Sequence, residues 1–441
     1  MKSRKELERT IDKRIRWVVE YAYKHSPYYH KLFKERGLTP SDIKGREDLK
    51  KIPITTKKEL IEGQPPKGDF SFFSRDPKNR KIFRFYTSGT KGLPKILALS
   101  EQELDLVIEI SKRAFEMAGI RRGDVVLNCY PIGINASGML TVLTFASMGV
   151  EQISAGVSPF PPKLSLIKTH KPRAMTALTS YADRLAREIS LQGVDPSTLG
   201  IEVIVVAGEA STRKKRERIA EEFNAEVYNL YGTTEGRMPL AMECSEHNLH
   251  VMEDGNYLML YDPKTGDFIE NEGEKGVDVM TTLNYVGKGL GTPLINYSHG
   301  DTFEFISDKC GCGSIFRVIS DVWRADDAIV ISGAKIDPAE IEAVLHEPGN
   351  FKKLTGEWEM LVDFDEEERV YDLLLRIEAR GKPEEELGEK VKRELMELNY
   401  PLANETSMGR IRFRVEVVGR GGLELYKVPG KPKRISDKRK S

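Results

Sequence analysis

The run Ile201–Glu235, IEVIVVAGEASTRKKRERIAEEFNAEVYNLYGTTE, holds a complete structural unit. Its first segment, IEVIVVAG, is a continuous β-branched apolar stretch closed by Gly208, the pattern of a strand buried on both faces. A Lys/Arg-rich helical segment follows. AEVYNLYGTTE is then a second apolar strand ending in a turn. Strand, helix, strand in that order predicts a largely parallel α/β sheet. In such sheets the loops at the strand C-terminal ends carry the site, so the loops starting near Gly208 and Tyr231 are the first places to look for chemistry.

The same alternation extends outward. DVVLNCYP (124–131) and VEQISAG (150–156) read as buried strands, and SEQELDLVIEISKRAFEMAGI (100–120) as a helix capped by Ser100. The N-terminal segment predicts an amphipathic helix with Ile11, Ile15, Val18 and Ala22 on one face. PITTKKEL (53–60) offers a threonine cap before a further helix. The character changes at Arg324. RADDAIVISGAKIDPAEIEAVLHE reads as strand, turn and capped helix, and LLLRIEAR and IRFRVEVVG alternate as strands around the helix EEELGEKVKRELMEL. The expectation is an α/β protein: a large N-terminal domain, 1–323, with mainly parallel sheets, and a small mobile α+β domain, 324–441. The basic tail from Tyr426 is expected to be poorly ordered without a ligand.

The chain has 441 residues, 39% hydrophobic and 31% charged, enough for real cores under a charged surface. Its 68 basic and 68 acidic residues cancel, so no global field points to nucleic acid. No apolar run approaches the roughly 18 residues of a spanning helix, and the charged N-terminus lacks a signal core. The reading is a cytoplasmic protein with neither a membrane nor a nucleic acid as partner. A homodimer stays open. Four cysteines are too few for a disulfide scaffold.

Chemistry concentrates at FRFYTSGTKGLPK (83–95). Small residues let backbone N–H groups approach a ligand, hydroxyls add donors and lysines add charge, so the natural ligand is an oxyanion, most simply phosphate. The spacing does not fit the G-x-x-x-x-G-K-[ST] loop. Cys310 and Cys312 sit in a tight turn, with Cys244, His247 and His250 upstream. Thiolate and imidazole are zinc's preferred ligands, although spacing alone leaves separate reduced thiols as an equal alternative. Cys129, after a strand, reads as core.

Taken in order, YTSGTKGLPK (86–95), YGTTE (231–235), HGD (299–301), RADD (324–327) and Gly430–Lys431 resemble the motifs of adenylate-forming enzymes, the acyl- and aryl-CoA ligase superfamily. The N-terminal stretch 21–60, ECSEHNLHVMED (243–254) and KPKRISDKRK (431–440) are similar to the branch of phenylacetate–CoA ligases and coenzyme F-390 synthetases. The resemblance covers essentially the whole chain. It departs at Lys91, where a hydroxyl residue is usual, at NYSHGD (296–301), where an Arg-bearing stretch is usual, and at CYPIGINASGML (129–140), which does not match phenylacetate enzymes.

The resemblance implies ATP, Mg²⁺ and coenzyme A, with a small carboxylic acid, aryl or arylacetic, as substrate. Thr87, Ser88, Gly89, Thr90 and Gly92 would cradle the β- and γ-phosphates and Lys95 would neutralise the leaving pyrophosphate. Gly208 and Glu209 would line the adenine and acyl pockets. Tyr231 would stack on adenine, with Gly232 in the same turn, and Thr233 or Thr234 would touch the α-phosphate. Glu235 would hold Mg²⁺. Asp301 would accept the ribose hydroxyls, and Arg324 would reach ribose or phosphate. Asp326 matches the hinge, and Lys431 the adenylation lysine, with Lys433 as its competitor. Tyr130, Asn135 and Ser137 are assigned to the acid pocket. The resemblance also implies a structural zinc on Cys244, His250, Cys310 and Cys312. Two rival functions remain at this stage: AMP transfer without CoA, as in coenzyme F-390 synthesis, and a zinc-stapled module that binds RNA or a partner.

Overall fold

The computed structural model describes residues 3–87, 94–134, 136–156, 160–269, 271–324, 329–332, 334–365, 367–424 and 434–438. Ser88, Gly89, Thr90, Gly92, Asn135, Asp326, Lys431 and Lys433 lie outside the described residues. The chain forms two compact units, residues 1–210 with 216–322, and residues 211–215 with 323–441. Among the described residues no helix is long and apolar enough to cross a membrane.

The larger unit is built on a sheet whose parallel half runs Glu151–Ser154, Val125–Asn128, Ala174–Leu178, Val203–Ala207, Glu226–Thr233. Helices Ala136–Met148, Phe160–His170, Thr179–Leu191 and Arg213–Phe223 make the crossovers that parallel pairing requires. Val203–Ala207 lies inside the sheet, between Ala174–Leu178 and Glu226–Thr233, and is buried along its whole length, as its β-branched run demands. Glu151–Ser154 closes the edge and is only half covered. Its charged and polar residues, Glu151 and Gln152, suit an edge, so this strand is not buried as VEQISAG suggested.

After Thr233 the chain reverses and the sheet continues antiparallel through Met238–Glu243, Leu249–Val251, Val318–Ile319, Asp301–Ser307, Lys275–Thr282, Asn256–Tyr261 and Phe268–Ile269. The N-terminal helix, Arg4–His25, buries Ile11, Ile15, Val18 and Ala22 in one apolar cluster with Leu258, Leu294 and Tyr297. Thr56 caps helix Lys57–Glu62 in a capping box with Glu59. Ser100 is not a cap. It ends strand Ile96–Ser100, and its hydroxyl donates to buried Glu103 at 2.8 Å, so the helix begins only at Leu104.

In the smaller unit, Ile411–Val418, Val370–Ala379, Leu354–Asp365 and Ile435–Asp437 form one sheet in that order. Helices Pro338–Leu345 and Glu385–Leu398 pack on it through Ile341, Leu345, Val391 and Leu395. Of the basic tail the structure describes residues 434–438, and this stretch is held in the sheet rather than left in solvent. Ile435–Asp437 pairs parallel with Met360–Val362, and Arg434 stacks on Trp358 and pairs with buried Glu357 at 2.9 Å. Two partners buried in the sheet outweigh the solvation of one basic residue.

Candidate active site

The strand Glu226–Thr233 delivers the YGTTE turn, and a register shift between Tyr231 and Gly232 aims it. Glu235, 4% exposed, is paired with the ammonium of Lys95 and accepts from the Tyr297 hydroxyl at 3.3 Å. Burial opposes ionisation here, but Lys95 and His299 hold the carboxyl down at about 2. Lys95 is fixed from both sides. Its amide and carbonyl bond Thr87 across the base of the phosphate-type loop, at 3.3 and 3.0 Å. Gln64 braces the same end, donating to the Pro94 carbonyl and accepting from the Ile96 amide.

Tyr231 donates from its hydroxyl to Asp301 Oδ2 at 2.6 Å. Burial and the facing carboxylates of Asp301 and Asp278 hold that phenol neutral far above neutral pH. Asp278 is the organiser of this corner. One oxygen accepts from the backbone amides of His299 and Asp301, at 3.2 and 3.1 Å, and the other meets His299 Nδ1. His299 Nε2 lies 3.0 Å from Thr233 Oγ1, which also accepts from the Gly236 amide at 3.0 Å. Burial alone lowers the basicity of His299; Asp278, Glu235 and Asp301 reverse this and raise it above the ordinary value. Glu235, Tyr231, Thr233, Asp301 and Lys95 are therefore brought together by direct or shared partners.

Sequence reasoning missed Asp278, Gln64 and Arg237. Arg237 sits in a left-handed conformation, φ 64°, directly after the turn. Its guanidinium donates to Glu103 at 3.0 Å and to the Leu283 carbonyl at 3.0 Å, all buried. That anchor stabilises a backbone conformation that a long side chain rarely adopts. Asp278 had a visible signal: a carboxylate interrupting the apolar strand KGVDVMTT.

Other assigned residues occupy varied places. Gly208 has φ 80°, and a Cβ there would lie 2.9 Å from Leu178 Cδ2, so glycine is needed at this strand end. Glu209 accepts from the Ser180 amide and hydroxyl at 2.9 and 2.8 Å. Tyr130 is buried, its hydroxyl donating to the Val205 carbonyl at 3.2 Å. Ser137 is exposed on helix Ala136–Met148. Gly232 and Thr234 are half-buried in the turn. Arg324, exposed, belongs to the smaller unit.

A second cluster joins Cys244, His250, Cys310 and Cys312, whose ligand atoms all lie within 4.8 Å of one another. The Cys244 and Cys310 sulfurs are 3.8 Å apart, and Cys312 Sγ is 3.4 Å from His250 Nε2. His250 Nδ1 is 2.8 Å from the Phe316 carbonyl, which fixes Nε2 as the atom facing the sulfurs. The hairpin after Glu243 and the Lys309–Gly313 turn supply the ligands, two residues apart in the latter. Three sulfurs and one imidazole nitrogen form a donor set that fits tetrahedral Zn²⁺. His247 stays outside it, stacked on Tyr228.

The AMP-binding enzyme family matches residues 36–276. The phenylacetate–coenzyme A ligase of Thermus thermophilus is 30% identical over 346 residues, 78% of this chain and 76% of that protein. That of Aromatoleum evansii is 26% identical over 449 residues, 99% of this chain and 96% of that protein. In fold the chain is similar to 2-hydroxyisobutyryl-CoA ligase in the postadenylation state, with a TM-score of 0.82 and 22% identity, covering 99% of this chain and 90% of that one. The chain belongs to the AMP-binding enzyme family, whose members form adenylates. Within that family it belongs to the phenylacetate–coenzyme A ligase branch.

Proposed function

We propose that the protein is an AMP-forming acid–CoA ligase: it adenylates a small carboxylic acid with ATP and transfers the acyl group to the coenzyme A thiol. The observation that carries this reading is the assembly of Lys95, Glu235, Tyr231, Thr233 and Asp301 in one buried corner at the end of the parallel strands. In the first half-reaction the substrate carboxylate attacks the α-phosphorus and the bond to pyrophosphate breaks, giving acyl-adenylate. In the second the thiol attacks the acyl carbon and AMP leaves. Positioning and charge stabilisation supply most of the rate.

The roles follow from side-chain chemistry. Asp301, with its backbone held by Asp278, offers carboxylate oxygens suited to a ribose diol. Tyr231 presents its ring to adenine. Thr87 and the loop after it receive phosphate oxygens, and Lys95 offsets the charge of pyrophosphate. Glu235, ionised and buried, fits a Mg²⁺ ligand, and the metal when bound would neutralise phosphate charge. Binding of the nucleotide would then separate Glu235 from Lys95. Lys431, on the tail that leads to the anchored Arg434, is assigned to the adenylation transition state, and Asp326 to the hinge between domains 1–323 and 324–441. The acid is read as aryl or arylacetic, and Zn²⁺ as a structural staple. The protein is taken to work in the cytoplasm on small molecules.

The test is incubation of the purified protein with ATP, Mg²⁺, CoA and a panel of aryl, arylacetic and aliphatic acids, with chromatography of the products. Acyl-CoA and AMP in equal amounts support the reading. AMP attached to a deazaflavin, with no thioester from any acid, overturns it in favour of nucleotidyl transfer.

A further inference from the structure

A threonine hydroxyl has one proton to donate and two lone pairs to accept with. At Thr233 one lone pair is taken by the Gly236 amide at 3.0 Å. The second partner is His299 Nε2, also at 3.0 Å. On the far side of that ring, Nδ1 meets the Asp278 carboxylate. A carboxylate only accepts, so Nδ1 carries a proton and Nε2 is the atom whose state varies. With a proton on Nε2, the ring donates to Thr233, both lone pairs of the hydroxyl are engaged, and its own proton must point elsewhere. With Nε2 bare, Thr233 donates back to the ring and has nothing to offer a ligand.

The geometry decides where the freed proton goes. Thr233 is half-buried, and its hydroxyl is engaged by His299 Nε2 and by the Gly236 amide. Thr234 and Glu235 follow it directly in the same turn. We infer that His299, locked by Asp278, is a positioning residue of the nucleotide site: it aims the Thr233 hydroxyl proton at a phosphate oxygen of bound ATP. This inference rests on the nucleotide reading of the corner given above and adds to it a residue that acts through another.

The charged and titratable groups around the ring favour the doubly protonated form. Asp278 faces it from strand Lys275–Thr282, Asp301 from the strand that follows the ring, and Glu235, itself paired with Lys95, from the turn. Tyr231 and Tyr297 are the nearby phenols, Tyr297 at 5.3 Å between ring centroids. Burial pulls the imidazole's basicity down and these carboxylates more than restore it. Because the folded value is raised above the ordinary one, the aiming form persists to higher pH than in a free histidine and is lost as pH rises through the folded value. A phosphate oxygen, which only accepts, favours the same form.

The experiment is calorimetric titration with MgATP between about pH 6 and pH 9 on wild type, His299→Gln, Thr233→Val, the double variant and Asp278→Asn. A hydrogen bond to a charged group is worth about 1.5–3 kcal/mol, so the wild-type affinity is expected to fall about tenfold or more across the alkaline limb. Thr233→Val and His299→Gln each lose about that factor and become flat with pH, and the double variant is no weaker than either single one. Asp278→Asn keeps the limb and moves it to lower pH. Thr233→Val, which leaves the histidine pair in place, serves where His299→Gln fails to fold. Single effects that multiply in the double variant, or a limb that survives in Thr233→Val, overturn the proposal. MgATP binding with the expected pattern but no acid-dependent chemistry overturns only the ligase reading. Chemistry with multiplying effects overturns only the role of His299, and no ATP binding at all overturns both.

Discussion

Glu235→Gln isolates the electrostatics of the corner, because glutamine has the shape of the protonated acid. In the free protein Glu235 is buried, paired with Lys95 and held at about 2, against an ordinary 4.5. A folded-state value below the unfolded one means that the charge stabilises the fold at neutral pH, and that this contribution is lost as pH falls toward 2. Moving the carboxyl from 4.5 to about 2 is worth about 3 kcal/mol above roughly pH 5. At about pH 3.5 the same two values leave about 2 kcal/mol. The assay is urea unfolding of wild type and variant at both pH values, read as a shift in midpoint at constant slope. The gap between the proteins should narrow by about a third on acidification. A gap below about 1 kcal/mol at neutral pH, or one that ignores pH, refutes the buried-pair reasoning.

Three further outcomes are expected. Arg237→Met strands the Glu103 carboxylate, 0% exposed, and should destabilise by about 3–5 kcal/mol in denaturant melts; adding Glu103→Gln should recover part of this, and a cost under 1 kcal/mol on this scale contradicts the anchor. Gly138→Ala puts a Cβ 2.2 Å from the Pro131 carbonyl oxygen, so the chain must shift at a cost of about 1–3 kcal/mol, whereas an unchanged melting temperature would mean that this approach is not tight. Metal analysis should find about one zinc per chain in wild type and none in Cys312→Ser, with a lower melting temperature in the variant; metal-free wild type that melts at the same temperature with and without added zinc would contradict the assignment.

The parallel half of the sheet was legible because each β-branched run, Val203–Ala207 above all, is followed by a helical segment of crossover length. The antiparallel half was not, since its strands are separated by turns whose partners lie far apart, Leu249–Val251 pairing with Val318–Ile319. Motif candidates could be picked out because their chemistry is written in their types: glycines and hydroxyls in one loop, a carboxylate closing YGTTE, three cysteines and a histidine. The supporting residues were harder. Gln64 acts across 30 residues on Pro94, and Asp278 across 21 on His299, and neither distance leaves a local trace. Ser100 misled because a serine before an apolar run reads as a cap, while tertiary pairing to Glu103 used its hydroxyl otherwise. Arg434 misled because its charge suggested solvent, while Glu357 and Trp358 hold it against the sheet.

The central claim is that this corner drives adenylation. The most direct measurement is acid-dependent exchange of labelled pyrophosphate into ATP, without CoA, in wild type, Lys431→Ala and Lys433→Ala. The account predicts exchange that requires one class of acid and is abolished in Lys431→Ala but retained in Lys433→Ala. A folded, ATP-binding protein that exchanges with no acid, or whose exchange is indifferent to Lys431, would contradict it.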